Sequence, residues 1–182
     1  MKIFVYIHGY GTTGANSSKF KEIKSYCLKN RIDSFALEWK PNQLNIVENL
    51  KEQLEKILAK KVYTKIVLIA SSTGCNFAYQ IGFDLQHKNT TTNMLFINPF
   101  VSIEQTKVFD KNFPISLAEQ MKLPNQDLKN TSLILATNDE VLDHSYTTLN
   151  FPKNCSTEWI TPGNHSLNNE LADRWEKLLS IY

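Results

Sequence analysis

The stretch Lys65-Ile66-Val67-Leu68-Ile69-Ala70-Ser71-Ser72-Thr73-Gly74 decides the fold of this chain. It begins with an apolar, β-branched run that is typical of a strand buried on both faces. Residues 74–85 then carry the spacing of a helix. A buried strand that passes directly into a helix is the repeating step of a parallel sheet, so this stretch predicts an α/β protein.

The same alternation continues on both sides of that stretch. It predicts strands over 2–7, 33–38, 65–70, 94–97, 132–136 and 157–160, and helices over 17–29, 43–60, 74–85, 143–149 and 167–180. Residues 100–129, divided by Pro114 and Pro124, predict two or three short helical pieces and a candidate small cap. We expect a single domain over residues 1–182, a three-layer α/β fold with a mostly parallel six-stranded sheet and helices on both faces.

Composition argues against several functional classes. The 182 residues are 42% hydrophobic and 21% charged, with a net charge of +2. No basic cluster predicts nucleic-acid or membrane binding, and no apolar run reaches the roughly 18–20 residues that cross a bilayer. The three cysteines, Cys27, Cys75 and Cys155, have no CxxC spacing. We therefore expect no disulfide framework, no metal and a cytoplasmic location.

Reactive side chains follow three of the predicted strands. Ser72 follows the third strand, Asp139 the fifth and His165 the sixth. Because ligands bind at the carboxyl ends of parallel strands, a hydroxyl, a carboxylate and an imidazole are expected together at one edge of the sheet. The chain order Ser, Asp, His is that of α/β-hydrolase triads. The pattern predicts Ser72 as nucleophile, His165 as its base and Asp139 as the acid that orients His165.

The residues around Ser72 fit a sharp turn from strand to helix. Such a turn needs small residues two positions before and after the nucleophile, and Ala70 and Gly74 stand there in the pattern A-S-S-T-G. The backbone amides of Thr73 and Tyr10 are the predicted oxyanion hole, one after the nucleophile and one after the first strand.

Nearby residues offer alternatives for two of these roles. Ser71 is a rival nucleophile, although it lacks the small neighbours, and Asp143 is a rival acid four residues after Asp139. The remaining candidates have structural interpretations: His8 as a residue that holds its loop, His87 and His144 as helix-surface residues, and Cys75 as a packing residue.

At the level of whole motifs, the chain resembles the α/β-hydrolase superfamily. More narrowly it resembles the small YqiA-type esterases and the small serine hydrolases related to retinoblastoma-binding protein 9. The stretches that carry the resemblance are IFVYIHGYGTTGANSSKF, IVLIASSTGCNFAYQIG, LFINPF, LILATNDEVLDH and TPGNHSL. The resemblance implies the same three roles for Ser72, Asp139 and His165. Ala70 and Cys75 depart from the usual glycines of the turn.

Three other functions remain open from the sequence. Gly9 to Gly14 reads G-x-G-x-x-G after a strand, with Glu38 where a dinucleotide fold would bind ribose. Ala15-Asn16-Ser17 delay the helix, which argues against that interpretation. A thioesterase would use the same triad, and the altered turn would suit an inactive binding protein.

The expected reaction is therefore the hydrolysis of a small-molecule acyl ester through an acyl-serine, without a cofactor, by a monomer or small homo-oligomer. Apolar residues of 100–129 either line an acyl pocket or anchor ordinary helices to the core. They are Phe100, Val101, Phe109, Phe113, Ile115, Leu117 and Met121.

Overall fold

The computed structural model describes residues 1–86, 90–107, 112–124 and 128–182. Their strands are β1 (Lys2–Ile7), β2 (Asp33–Leu37), β3 (Lys65–Ser71), β4 (Thr91–Ile97), β5 (Thr131–Ala136) and β6 (Ser156–Ile160). They form one sheet in the order β2-β1-β3-β4-β5-β6. Each neighbouring pair is parallel, so the predicted six-stranded α/β sheet is confirmed.

Helices cover both faces of the sheet. They are α1 (Ser18–Lys29), α2 (Ile46–Leu58), α3 (Thr73–Gln86), α4 (Ile115–Ala118), α5 (His144–Asn150), α6 (Asn168–Ala172) and α7 (Trp175–Ser180), with a 3₁₀ turn at Ile103–Gln105. Successive strand residues point to opposite faces, so Val5 packs in the layer of α2 and α3, whereas Phe4 packs in the layer of α1 and α7.

The single C-terminal helix predicted over 167–180 is wrong. The chain leaves the helix at Asp173 and Arg174, where ψ is −1° and −15°, and starts again at Trp175. Leu171 and Trp175, on either side of this break, are both buried in the layer that contains α1. Apolar spacing did not reveal the break because the buried residues continue through it.

The strand order creates one crevice at the carboxyl edge of the sheet. The chain runs from β1 outward to β2, then returns to place β3 on the other side of β1. The connections after β1 and β3 therefore diverge to opposite faces, which is the switch point where open α/β sheets bind ligands. The loop after β1 and the turn at Ser72 lie at this point.

Candidate active site

Ser72 occupies a sharp turn between β3 and α3. Its φ of 49° is in the left-handed region, which is unfavourable for a residue with a side chain. Strain of this kind costs on the order of 1–3 kcal/mol and persists only where the surroundings fix it. Here the amide of Ser72 donates to Ile97 O (2.9 Å), and its carbonyl accepts from the amides of Cys75 (3.0 Å) and Phe100 (3.1 Å).

Two glycines let the backbone around this turn pack closely. A Cβ on Gly74 would lie 2.5 Å from the carbonyl oxygen of Ile7 and even closer to that of His8, so only glycine fits at the start of α3. A Cβ on Gly9 would lie 3.1 Å from the Cβ of Ser72. Ala70 is fully buried inside β3, where a methyl group is accommodated.

His165 lies between Ser72 and Asp139. Its Nε2 is 3.1 Å from the Oγ of Ser72, and its Nδ1 is 2.8 Å from the Oδ2 of Asp139. Since the carboxylate can only accept, Nδ1–H donates to Asp139, and Nε2 of the neutral ring is left to accept from the Ser72 hydroxyl. The His165 side chain is 20% exposed, so the imidazole is reachable from solvent.

The loop that carries His165 is fixed by Asn98 and Glu140. The amide group of Asn98, at the end of β4, donates to the carbonyl of His165 (2.8 Å), and its oxygen accepts from the amide of Ala136 (2.8 Å). Glu140 accepts from the backbone amide of His165 (3.0 Å). These contacts tie the His165 loop to β4 and β5.

Asp139 receives donors at both of its oxygens. The amides of Val141 and Leu142 both donate to Oδ1 at 2.8 Å, and Oδ2 accepts from His165 and from His144 (3.0 Å). Burial by itself would raise the pKa of Asp139, but the hydrogen bonds from the two histidines outweigh burial and hold that pKa below its usual value.

His144 is not a helix-surface residue, and that prediction is wrong. It is 5% exposed, because α5 turns its first residue inward against Asp139. Its Nδ1 lies 3.2 Å from the Oγ1 of Thr147, and that oxygen accepts from the amide group of the buried Gln105 (2.5 Å). Histidine is often exposed at a helix start, so the sequence did not indicate that Asp139 has a second histidine partner. His87, its companion in that prediction, lies outside the described residues.

The rival residues have other partners in the structure. Asp143 caps α5 by accepting from the amide of Ser145 (2.9 Å), and the Oγ of Ser71 lies 2.8 Å from the hydroxyl of Tyr6. Cys75 is fully buried, and burial raises the pKa of its thiol. The structure therefore brings Ser72, rather than Ser71, and Asp139, rather than Asp143, to His165.

The predicted oxyanion donors lie on the two segments that meet at the switch point. Thr73 is the first residue of α3, so its amide has no partner within the helix. Tyr10 follows Gly9, where an added Cβ would lie 3.1 Å from the Cβ of Ser72, and the ring of Tyr10 packs 5.4 Å from that of Phe113. His8 steadies this loop through Nδ1, which donates to Gly9 O (2.9 Å), and burial lowers the pKa of His8.

The G-x-G-x-x-G loop already holds an anion from its own chain. The carboxylate of Glu38 accepts from the amides of Gly14 (3.0 Å) and Ala15 (2.9 Å). A Cβ on Gly14 would lie 2.7 Å from the Cβ of Ala36, so this glycine permits close packing against β2. Amides that a dinucleotide phosphate would need are thus taken, and Glu38 faces the loop.

A cavity of about 210 Å³ opens beside Ser72 and His165. Its walls come from the loop after β1 and the start of α1, including Tyr10, Ser18 and Lys19. Among the residues that the structure describes, none from 100–129 lines it. Phe100, Val101 and Leu117 are instead buried, Ile115 is exposed, and Phe109 lies outside the described residues. A larger cavity, about 510 Å³, lies between α2 and α3 and contains neither Ser72 nor His165.

Two further properties concern the described residues only. None of their helices combines the length and the apolar character that crossing a bilayer requires. None of their His, Cys, Asp and Glu side chains gather in groups of three or more that could hold a metal ion.

Comparison with known proteins places the chain in a family. Residues 3–181 match the sequence profile of the Uncharacterised protein family UPF0227. The chain belongs to this family. UPF0227 is the YqiA-like group, so the predicted resemblance of this chain to YqiA-type proteins is confirmed. Among curated proteins, none matches the chain.

Solved structures extend the comparison of this UPF0227 chain to its fold. The ydeN gene product of B. subtilis superposes with a TM-score of 0.69 at 15% identity, covering 100% of this chain and 98% of that one. A pyrethroid hydrolase from Sphingobium faniae JZ-2 gives 0.69 at 11% identity, covering 99% and 96%. Mouse alpha/beta hydrolase domain-containing protein 10 gives 0.69 at 12% identity, covering 97% and 86%. The predicted α/β-hydrolase fold is confirmed.

Proposed function

We propose that this protein is a serine hydrolase that cleaves an acyl ester, with Ser72 as nucleophile, His165 as general base and Asp139 as the acid that orients it. The observation that carries the proposal is the continuous hydrogen-bonded series from the Oγ of Ser72 through His165 to the buried Asp139. Two of the structural neighbours are named as hydrolases, which supports the choice of reaction class.

In the first half of the reaction, the Oγ of Ser72 forms a bond to the acyl carbonyl carbon while its proton passes to Nε2 of His165. The carbonyl oxygen becomes an oxyanion that accepts hydrogen bonds from the amides of Tyr10 and Thr73. The bond from carbon to the leaving oxygen then breaks, and His165 returns the proton to the departing alcohol. Asp139 keeps the Nδ1–H tautomer and stabilises the imidazolium.

In the second half, a water molecule takes the place of the alcohol. His165 accepts one proton from the water while the water oxygen bonds to the acyl carbon, which forms a second tetrahedral intermediate. Collapse of that intermediate breaks the bond between the acyl carbon and Ser72. The proton held by His165 returns to Oγ, and a carboxylic acid is released. The protein ends the cycle unchanged, and no cofactor enters the balance.

A fluorophosphonate probe tests the nucleophile. The wild type and Ser71→Ala are expected to become labelled, whereas Ser72→Ala is not, since Ser71 is bonded to Tyr6 rather than to His165. Ser71→Ala is a closely matched control because it removes a neighbouring hydroxyl. Labelling of Ser72→Ala at the wild-type rate would refute Ser72 as nucleophile, and an unlabelled wild type would favour a non-catalytic binding protein.

A further inference from the structure

The cavity beside Ser72 is lined by several hydroxyl-bearing residues and by one amino group. Its walls present hydroxyl groups from Tyr6, Thr12, Ser17, Ser18 and Ser71. The amino group belongs to Lys19, the second residue of α1. These hydroxyls already have protein partners: the hydroxyl of Tyr6 lies 2.8 Å from the Oγ of Ser71 and accepts from that of Ser17 (2.9 Å), and the Oγ of Ser18 donates to Asn168 (2.8 Å). The amino group is therefore the cavity's main candidate contact for a polar ligand.

Lys19 has neutral partners only. Its Nζ donates to the carbonyl of Ser166 (2.5 Å) and to the Oδ1 of Asn168 (3.2 Å). Among the described residues, no carboxylate lies within ion-pair distance of Nζ, and Glu170 acts on it from further away. An ammonium group has three N–H donors, so one donor is left for a ligand.

The position of Lys19 is unfavourable for a cation. The first turn of a helix is its positive end, so the dipole of α1 opposes the charge there. Burial lowers the pKa of Lys19 to about 8, against the opposing effects of Cys75 and Glu170. A negatively charged ligand would offset both costs, because it pairs with the ammonium and lies at the favourable end of the helix.

We propose that this cavity, the Lys19 subsite, binds an anionic group of the substrate, with a carboxylate as the simplest case and Lys19 as its specificity residue. The inference rests on the proposed function, because the subsite is defined by its contact with Ser72 and His165. Its volume of about 210 Å³ is below the range of roughly 300–1,000 Å³ that is usual for drug-sized ligands, so the anion belongs to a small substrate.

Paired esters test the subsite on the acyl side. Mono-p-nitrophenyl adipate carries a carboxylate at the end of its acyl chain, and p-nitrophenyl hexanoate carries a methyl group there. The ratio of their kcat/KM values measures the preference for the anion. If the subsite binds the acyl side, the wild type should favour the adipate, and Lys19→Met should reduce that ratio by about 10- to 100-fold, the usual range for a hydrogen bond to a charged group.

A second pair places the carboxylate on the leaving group. The substrate p-acetoxybenzoate is compared with p-acetoxybenzamide, which has a neutral amide at the same place. Only one of the two pairs is expected to show a ratio that depends on Lys19, and that pair identifies which side of the scissile bond the subsite binds.

Matched variants separate recognition from structure. Lys21→Met removes an exposed lysine of the same helix and should leave both ratios unchanged. Lys19→Arg should keep most of the preference. A purely structural role of Lys19 would lower kcat/KM for the anionic and neutral esters equally, leaving the ratios as in the wild type, and would overturn the proposal.

Fluorophosphonate labelling keeps the two proposals apart. If Ser72 becomes labelled but neither ester pair shows a ratio that depends on Lys19, the subsite is wrong and the hydrolase remains. If the wild type is not labelled and cleaves none of the four esters, the proposed function fails and the subsite fails with it.

Discussion

Two carboxylates at the same edge of the sheet have similar hydrogen-bond partners but differ in which oxygens remain available for a histidine. Glu38, after β2, accepts from the amides of Gly14 and Ala15, and Asp139, after β5, accepts from those of Val141 and Leu142. Each also faces histidine. The Nε2 of His8 lies 3.5 Å from Glu38, and both His165 and His144 bond to Asp139.

The difference lies in which oxygens remain available. Glu38 uses one oxygen for each amide, and its side chain is 48% exposed. Asp139 gathers both amides on Oδ1, which leaves Oδ2 for the imidazoles, and its side chain is 1% exposed. A buried carboxylate with an available oxygen can orient a base. An exposed carboxylate whose two oxygens both accept from backbone amides holds a loop in place instead.

Among substitutions at these two carboxylates and their partners, Asp139→Asn should cause the largest loss of activity. The amide would keep a similar shape but would favour the wrong tautomer of His165, so kcat is expected to fall by about 10⁴-fold, as for other triads. Ester hydrolysis under single-turnover and steady-state conditions measures the loss. A variant that retains more than a tenth of the wild-type kcat would remove Asp139 from the mechanism.

Asp143→Asn is the matched control for that experiment. Asp143 lies only four residues away but caps α5, and asparagine caps helices about as well as aspartate. We expect wild-type kcat and stability from Asp143→Asn. A large loss of kcat here would restore Asp143 as the acid.

His144→Phe should have the second largest effect, and on stability more than on rate. It removes one donor from the buried Asp139, so the free energy of unfolding should fall by about 1.5–3 kcal/mol. The bond from His165 to Asp139 survives, so kcat should fall by no more than about tenfold. Urea unfolding and ester kinetics on the same samples separate the two effects.

His144→Gln provides the conservative comparison, since its amide can still donate to Asp139. Recovery of part of the lost stability is expected. A loss of kcat in His144→Phe as large as that in Asp139→Asn would mean that His144, rather than His165, is the functional partner of Asp139.

Acid should weaken the stabilisation that comes from Asp139. Its pKa is lower in the folded protein than in the unfolded chain, so its contribution is present above the unfolded value of about 3.9 and is lost as the pH falls toward the folded value. The difference in unfolding free energy between wild type and Asp139→Asn should therefore be large near pH 7 and smaller below about pH 3. Urea titrations at several pH values measure it, and a difference that grows in acid would contradict the sign.

The sequence was sufficient to predict the sheet and the three residues Ser72, His165 and Asp139, which are linked through His165. Strand periodicity is set by local spacing, and in a parallel sheet the residues after the strands must meet at one edge, so Asp139 and His165 could be predicted with Ser72. Their order along the chain then selected them from other polar residues.

What the sequence could not supply depends on contacts between distant segments. His144 and Lys19 are each ordinary in a helix start, and only the docking of α5 and α1 against the sheet turns them toward Asp139 and the Ser72 cavity. Glu38 resembled a ribose ligand because spacing alone does not reveal that its oxygens reach back 24 and 23 residues to Gly14 and Ala15.

Glu38→Gln should have the smallest effect on stability and activity, and it tests the role of the exposed carboxylate. Glutamine has one acceptor oxygen, so one of the two amides, of Gly14 or Ala15, loses its partner. Because Glu38 is half exposed and water can replace it, the cost should be about 0.5–1.5 kcal/mol, with a decrease of only a few-fold in kcat through the loop that carries Tyr10. Thermal unfolding of the wild type and of Glu38→Gln measures this loss of stability, and the same measurement with added dinucleotides tests the rival function of dinucleotide binding. No dinucleotide is expected to stabilise the wild type, since Glu38 already occupies the amides; stabilisation of the wild type that Glu38→Gln abolished would instead show that Glu38 binds ribose.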